Sequence, residues 1–284
     1  MDIVKVPEAT HLQPQLASGD IRFVDYKDQG AHFNNRVMFD CCAFSFVQNG
    51  QKHIYRAGAN TLLYPGYGML IPEGNALIAE HSNNNEPYQS VLVFFPGSIG
   101  REFIAARGIT GKTETLPAPY IHFRTNAYMQ EYIRNIRSLI NSGQRLSREM
   151  AELKVRELLT AMYERAPELM HAIFRPQGNL TLKTLVEKNL LHPMTIEELA
   201  FLANRSLSSF KRDFQTEYGL SPQRYIREKR LEMACAELIG GRSASELYLD
   251  YGFRHLPNFL AAFKRRYGLT PAEYLKHLKS GRSA

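Results

Sequence analysis

Two short stretches, 49 residues apart, hold the side chains best equipped for chemistry. The first contains Arg205, Ser206, Leu207, Ser208, Lys211 and Arg212. The second contains Arg254, His255, Leu256, Asn258, Leu260, Lys264 and Arg265. Guanidinium and ammonium groups hold anionic oxygens, amides and hydroxyls pair with donor–acceptor edges, and leucines meet methyl groups. This set suits recognition of a patterned polyanion rather than bond breaking.

The alternative chemistries lack their residues. His32, His53 and His81 lie on separate segments, without the clustered His and carboxylate spacing that a metal-dependent barrel enzyme needs. No nucleophile elbow, phosphate loop or paired-carboxylate motif is present. We therefore expect no enzymatic activity, no metal and no cofactor. The three cysteines, Cys41, Cys42 and Cys235, form neither a metal spacing nor a disulfide framework, and are expected as buried thiols.

Self-comparison shows which elements position the two stretches. Phe210-x-x-x-Phe214-x-x-x-Tyr218-Gly219-Leu220-Ser221-Pro222-x-x-Tyr225 recurs as Phe259-x-x-x-Phe263-x-x-x-Tyr267-Gly268-Leu269-Thr270-Pro271-x-x-Tyr274. Such a repeat means a duplicated supersecondary unit. The aromatic residues, four apart, share one helical face in each copy. Gly219 and Gly268 stand where a helix ends in a left-handed residue, and Ser221-Pro222 and Thr270-Pro271 start the next helix. Capping boxes at Thr195–Glu198 and Ser243–Glu246 open a preceding helix in each copy. Ala203–Arg205 and Tyr251–Phe253 supply the turns. Helix, tight turn, helix, twice, is the helix-turn-helix arrangement that reads double-stranded DNA. The helix from Pro222 to about Ile239 joins the units, with Leu231, Ala234 and Leu238 as its core stripe.

Charge agrees. The chain of 284 residues has a net charge of +7. From Pro176 onward there are 17 Lys and Arg against 11 Asp and Glu, so nearly all the excess lies in the last third. A basic module beside a neutral one suits a nucleic-acid partner.

Residues 20–95 have the pattern of β structure: Ile21–Tyr26, Val37–Val47, His53–Tyr55, Thr61–Tyr64, Gly68–Ile71, Ala76–Ala79 and Tyr88–Phe95 are strand-like runs separated by turn signals. Asn49-Gly50 is the sharpest hairpin signal. Many short strands predict an antiparallel barrel or jelly roll. A short helix is expected over Ser98–Arg107, and a helical hairpin over 127–164 that packs on its own domain or forms a homodimer. The predicted fold is thus α+β with two domains: a regulatory domain over 1–165, a linker over 166–179, and an all-α domain over 180–284. No run is long and apolar enough for a membrane span, and no secretory signal opens the chain, so a cytoplasmic location is expected.

On these motifs the chain resembles the AraC/XylS family of transcription regulators. The resemblance runs from about Leu180 to Leu278 through Leu199-Ala200, Ser206-x-x-x-Phe210-x-Arg212-x-Phe214, Tyr218-Gly219-Leu220-Ser221-Pro222, Arg230-Leu231-x-x-Ala234 and the second copy. The β half is similar to the family's cupin-like sensor domain, through Gly58–Gly66 and Leu70–Gly74. The resemblance implies an activator that contacts RNA polymerase. It also implies an input, either a small molecule in the barrel or a protein partner. Barrel-filling aromatics would favour the protein partner, and Phe39, Phe44, Phe46, Tyr55, Tyr64 and Tyr67 are the candidates.

The two units differ from the outset. Lys211 and Arg212 suit a guanine edge or a phosphate, and the sequence does not separate these. Asn258 suits adenine, and Leu256 and Leu260 suit thymine methyls. Arg205, Arg254, His255 and Lys264–Arg266 suit phosphates. The second unit departs from the family pattern at Tyr248, His255, Pro257 and Ala261. The first unit is therefore expected to supply most base recognition, and the second to supply anchoring.

Overall fold

The computed structural model describes residues 3–29, 35–83, 86–108, 119–175, 181–192 and 194–280. The chain forms two compact units, Met1–Asn179 and Leu180–Ala284.

In the first unit the strands are β1 (Ile3–Val6), β2 (Gln15–Ser18), β3 (Ile21–Asp28), β4 (Asn35–Phe39), β5 (Cys42–Asn49), β6 (Gln51–Arg56), β7 (Ala59–Leu63), β8 (Tyr67–Ile71), β9 (Gly74–His81), β10 (Tyr88–Phe95) and β11 (Ile121–Arg124). The helices are α1 (Gly97–Ala105), α2 (Ala127–Ser142), α3 (Arg148–Arg165) and α4 (Pro167–Ile173). The strands form two sheets, ordered β1-β4-β9-β6-β7 and β11-β8-β5-β10-β3-β2. This is a two-sheet sandwich, not a closed barrel. It is also not wholly antiparallel, because β1 runs parallel to β4.

The expected Asn49-Gly50 hairpin does not form. β5 pairs with β8 and β10, whereas β6 pairs with β7 and β9, so the chain changes sheet at Gly50. Glycine is needed there on two counts: φ is 78°, and a Cβ would collide with the His81 carbonyl. The expected strand Val37–Val47 is likewise two strands in different sheets, β4 and β5.

Alternation along β5 splits the core. Ala43 and Val47 join Val24, Ile54, Met69, Ile78 and Phe94 between the sheets. Phe44 and Phe46 face the other way and pack with Phe95 and Phe123 against α1–α4. Of the proposed barrel-filling aromatics, only Phe39 lies in the inter-sheet core; Tyr64 and Tyr67 are exposed. Between the sheets sits a buried ion pair, Lys52 Nζ to Glu80 Oε1 at 3.1 Å, and Lys52 also donates to Ser45 Oγ at 3.1 Å. A cavity of about 100 Å³ adjoins this pair, walled mainly by Val6, Val37, Phe39, Ile78 and Phe94.

The helical hairpin has a cap at each start. Asn126 Oδ1 accepts from the Met129 amide at 2.9 Å, Ser147 Oγ accepts from the Met150 amide at 3.1 Å, and Gly143 ends α2 in the left-handed region. The linker expected from residue 166 is instead helical as far as Ile173. Pro167 stands at the first turn of α4, where its missing N–H is no loss, and Met170, Ile173 and Phe174 belong to the core under the hairpin. Residues 176–179 of the expected linker, and His32, lie outside the described residues. All three cysteines are free; Cys42 and Cys235 are buried and Cys41 half-buried. Burial pushes the Cys41 and Cys42 thiols up to about 12, so both stay protonated. Among the described residues, no helix is long and apolar enough to cross a membrane.

Candidate nucleic-acid interface

The second unit contains α5 (Leu182–Lys188), α6 (Ile196–Leu202), α7 (Leu207–Tyr218), α8 (Pro222–Ile239), α9 (Ala244–Asp250), α10 (Leu256–Tyr267) and α11 (Pro271–Ser280). The repeat explains most of their boundaries. The Thr195 amide donates to Glu198 Oε2 at 2.7 Å, and the Ser243 amide donates to Glu246 Oε2 at 2.7 Å. The Ser243 amide holds the Glu246 carboxyl below the usual carboxylate range, and the Thr270 amide does the same for Glu273. Gly219 (φ 69°) and Gly268 (φ 78°) end α7 and α10.

Each copy buries its aromatic ladder. Phe214 lies 4.2 Å from Tyr218 and 5.4 Å from Tyr225, centroid to centroid; Phe263 lies 4.5 Å from Tyr267 and 5.7 Å from Tyr274. The ladders belong to two separate cores. Phe210 and Phe214 pack with Leu182, Val186, Leu199 and Ile226. Phe259 and Phe263 pack with Leu231, Ala234, Leu238 and Leu247. Helix α8 thus gives its first turns to one core and the rest of its apolar stripe to the other.

The turns are not equal. Four residues separate α6 from α7, and five separate α9 from α10. Both turns pass through a left-handed residue, Asn204 (φ 55°) in the first and Gly252 (φ 74°) in the second. One residue, Arg205, lies between Asn204 and the cap Ser206. Two residues, Phe253 and Arg254, lie between Gly252 and the cap His255. The added length lets Phe253 stack edge-on against Phe259 at 5.2 Å and turns Arg254 out to solvent.

The structure sorts the predicted site residues. Ser208, Lys211 and Arg212 on α7, and Asn258, Lys264 and Arg265 on α10, are exposed near the starts or along the outer faces of the two helices. Ser206 is the N-cap of α7: its hydroxyl accepts from the Ser209 amide at 3.2 Å. His255 holds the same place before α10 but caps nothing with its side chain. Leu207, Leu256 and Leu260, expected to project outward, are half-buried against the two cores. Leu207 and Leu256 stand three residues before Phe210 and Phe259, and Leu260 three before Phe263, all at helical spacing.

Asp213 was not anticipated as part of the site. Its carboxylate takes ion pairs from both Arg205 and Arg212, the latter at 3.2 Å. A second structural arginine, Arg230 on α8, donates to the Leu190 and His192 carbonyls at 2.6 and 2.9 Å. It also lies against Gly252, where a Cβ would collide with its guanidinium. Arg230 therefore ties together the entry to the first helix-turn-helix, the joining helix and the second turn. The sequence pattern Arg230-Leu231-x-x-Ala234 marked this residue without showing its role.

A helical unit with two helix-turn-helix motifs, their exposed polar faces and a joining helix defines a DNA-binding regulator. The comparisons agree. Residues 199–277 match the model of a helix-turn-helix domain, and residues 42–172 match that of the ExsA N-terminal regulatory domain. The thermoregulatory protein LcrF of Yersinia pestis is 25% identical over 227 residues, covering 74% of this chain and 83% of LcrF. The XylDLEGF operon transcriptional activator of Pseudomonas putida is 40% identical over 78 residues, covering 26% of this chain and 24% of that protein. Among solved structures, apo ToxT from Vibrio cholerae aligns over 92% of this chain and 98% of its own, at 10% identity and a TM-score of 0.43. Residues 199–277 are thus an AraC-type helix-turn-helix domain, and residues 42–172 are similar to a regulatory domain that precedes it in such regulators.

Proposed function

We propose that the chain is a transcription activator that sets α7 and α10 into successive major grooves on one face of DNA. The observation that carries this reading is the pair of helices with exposed polar and basic side chains, joined by one continuous helix. That helix has 18 residues. At 1.5 Å per residue it spans about 27 Å, compatible with grooves about 34 Å apart. Ser208, Lys211, Arg212 and Asn258 are the base-reading candidates, and Arg205, Arg254, His255, Lys264 and Arg265 the phosphate anchors. The test is anisotropy with a duplex enriched by the full-length chain from a randomised library. Arg212→Ala weakens binding to that duplex and leaves the thermal melt unchanged. Unchanged affinity removes Arg212 from the reading set.

The first unit is the input. Its cavity of about 100 Å³ is well below the roughly 300–1,000 Å³ of usual small-molecule sites. This favours control by a protein over control by a drug-sized ligand. A cavity-filling Ser45→Leu variant that keeps its regulation supports the protein input, and one that folds but loses regulation restores the small molecule. A second copy of the chain is the first candidate partner. Met150 and Leu153, one turn apart on α3, are exposed, and so is Tyr128 on α2. Leu153→Glu then lowers the molecular mass measured by light scattering; an unchanged mass removes this face from the interface. The relatives are named activators, so contact with RNA polymerase and a cytoplasmic location belong to the same reading.

A further inference from the structure

A cleft of about 570 Å³ opens within the second unit, between the start of α6 and the second helix-turn-helix. Gln223 and Arg227 of α8 line it, with Arg254 and His255 of the second turn and Asn258 and Arg265 of α10. Arg230 forms part of its wall, held by the Leu190 and His192 carbonyls. No acidic side chain is among the lining residues.

The charges here differ from those elsewhere in the unit. Outside the cleft, the described arginines of the unit pair with acids. Arg205 and Arg212 share Asp213, and Arg224 pairs with Glu228 at 2.8 Å. Lys229 and Arg266 share Glu232 at 2.8 and 3.2 Å, and Arg242 joins Glu237 and Asp250 at 3.0 and 2.8 Å. Inside the cleft, Arg227, Arg254 and Arg265 are exposed, and none makes an ion pair among the described residues. Three uncompensated guanidiniums thus converge on one concavity between two DNA-reading motifs. Guanidinium groups prefer planar, bidentate contact with phosphate oxygens.

Between two successive major grooves, a duplex turns its backbone toward a protein bound on one face. We propose that this cleft seats the sugar-phosphate strand at that crossing, with Arg227, Arg254 and Arg265 on consecutive phosphates. The proposal rests on the DNA-binding reading and adds Arg227, which lies on the joining helix, to the interface. These contacts fix register and affinity and carry no base preference.

The test uses the full-length chain and the duplex it enriches from a randomised library. Each of Arg227→Gln, Arg254→Gln and Arg265→Gln flattens the dependence of log affinity on log salt by about 0.9. The bases enriched from the library stay the same. Arg242→Gln, outside the cleft, leaves the slope unchanged. Uncharged methylphosphonates placed midway between the half-sites weaken wild-type binding and add little to the loss in the triple variant. Unchanged slopes, or losses that add in full, overturn the proposal. If the wild-type chain enriches no duplex, the DNA-binding reading falls, and this proposal with it.

Discussion

The two helix-turn-helix units share a scaffold and differ in how their charges are held. In the first, a serine caps the recognition helix, the turn is short, and Asp213 ties down Arg205 and Arg212. In the second, the helix starts at an uncapping histidine, the turn is one residue longer, and among the described residues no acid pairs with Arg254 or Arg265. A carboxylate brace pre-orients and partly neutralises an arginine, which suits Arg212 to selective contact with a base edge and fixes Arg205 in position for its phosphate. Unbraced arginines suit phosphates, whose attraction is long-ranged and tolerant of geometry. The difference lies in the partners of the basic groups more than in their number.

The largest effect that probes this contrast is on the cores. Phe210→Ala costs about 3–5 kcal/mol. Because the two aromatic ladders sit in separate clusters, amide exchange speeds up in α6 and α7 while α9 and α10 stay protected. Phe259→Ala gives the mirror image. Joint loss of protection in both variants would show that the units are one cooperative core.

Next comes the tie between the units. Arg230→Ala removes two charge-assisted hydrogen bonds and costs about 1.5–3 kcal/mol. It also broadens the half-site spacings that the chain accepts in a library of duplexes with inserted base pairs. A lysine in its place restores charge but not both contacts, and recovers the spacing preference only in part. A spacing preference as sharp as wild type in Arg230→Ala means that α8 alone sets the geometry.

Asp213→Asn makes the first unit resemble the second. Freed arginines steepen the salt dependence by about 0.9 for each one that reaches a phosphate. Binding to unrelated DNA rises more than binding to the enriched duplex. An equal rise for both would mean that the brace does not serve selectivity. His255→Ser works in the opposite direction, supplying the missing cap, and raises stability by about 0.5–1 kcal/mol in a thermal melt. No change there would show that Pro257 already fixes the start of α10.

The smallest effect is that of acid. Glu246 and Glu273 are held below the ordinary carboxylate value by backbone N–H donors. Their contribution is therefore complete above about pH 4.3 and is lost as pH falls through the lowered folded value. Faster exchange at the starts of α9 and α11 below that pH is the expected readout; exchange that ignores the acid range shows the caps to be dispensable.

The duplicated half was legible because one set of residues must solve one packing problem twice. Phe210, Phe214, Tyr218 and Tyr225 announce their positions by spacing, and Phe259, Phe263, Tyr267 and Tyr274 repeat them. The β half was less legible, because a turn signal is local and sheet membership is not. Asn49-Gly50 marks a reversal, yet only the pairing of β5 with β8 and β10, and of β6 with β7 and β9, shows that the chain crosses between sheets there. β1, β2 and β11 have four residues each, too few to display alternation. Pro167 looked like a break although it begins a helix. Asp213 was missed because its bond to Arg205 crosses the helix start, outside the spacings that mark surface pairs. Arg227 was missed because a joining helix gives no reason to look for a ligand.

Strand β5 carries a consequence for signalling. Ser45 touches the buried lysine beside the inter-sheet cavity, while its neighbours Phe44 and Phe46 lie among the side chains under α1–α4. One pleat thus separates the interior of the sandwich from the helical layer. The cavity side and the helical side of the sandwich therefore share one strand, with Ser45 on the first and Phe44 and Phe46 on the second.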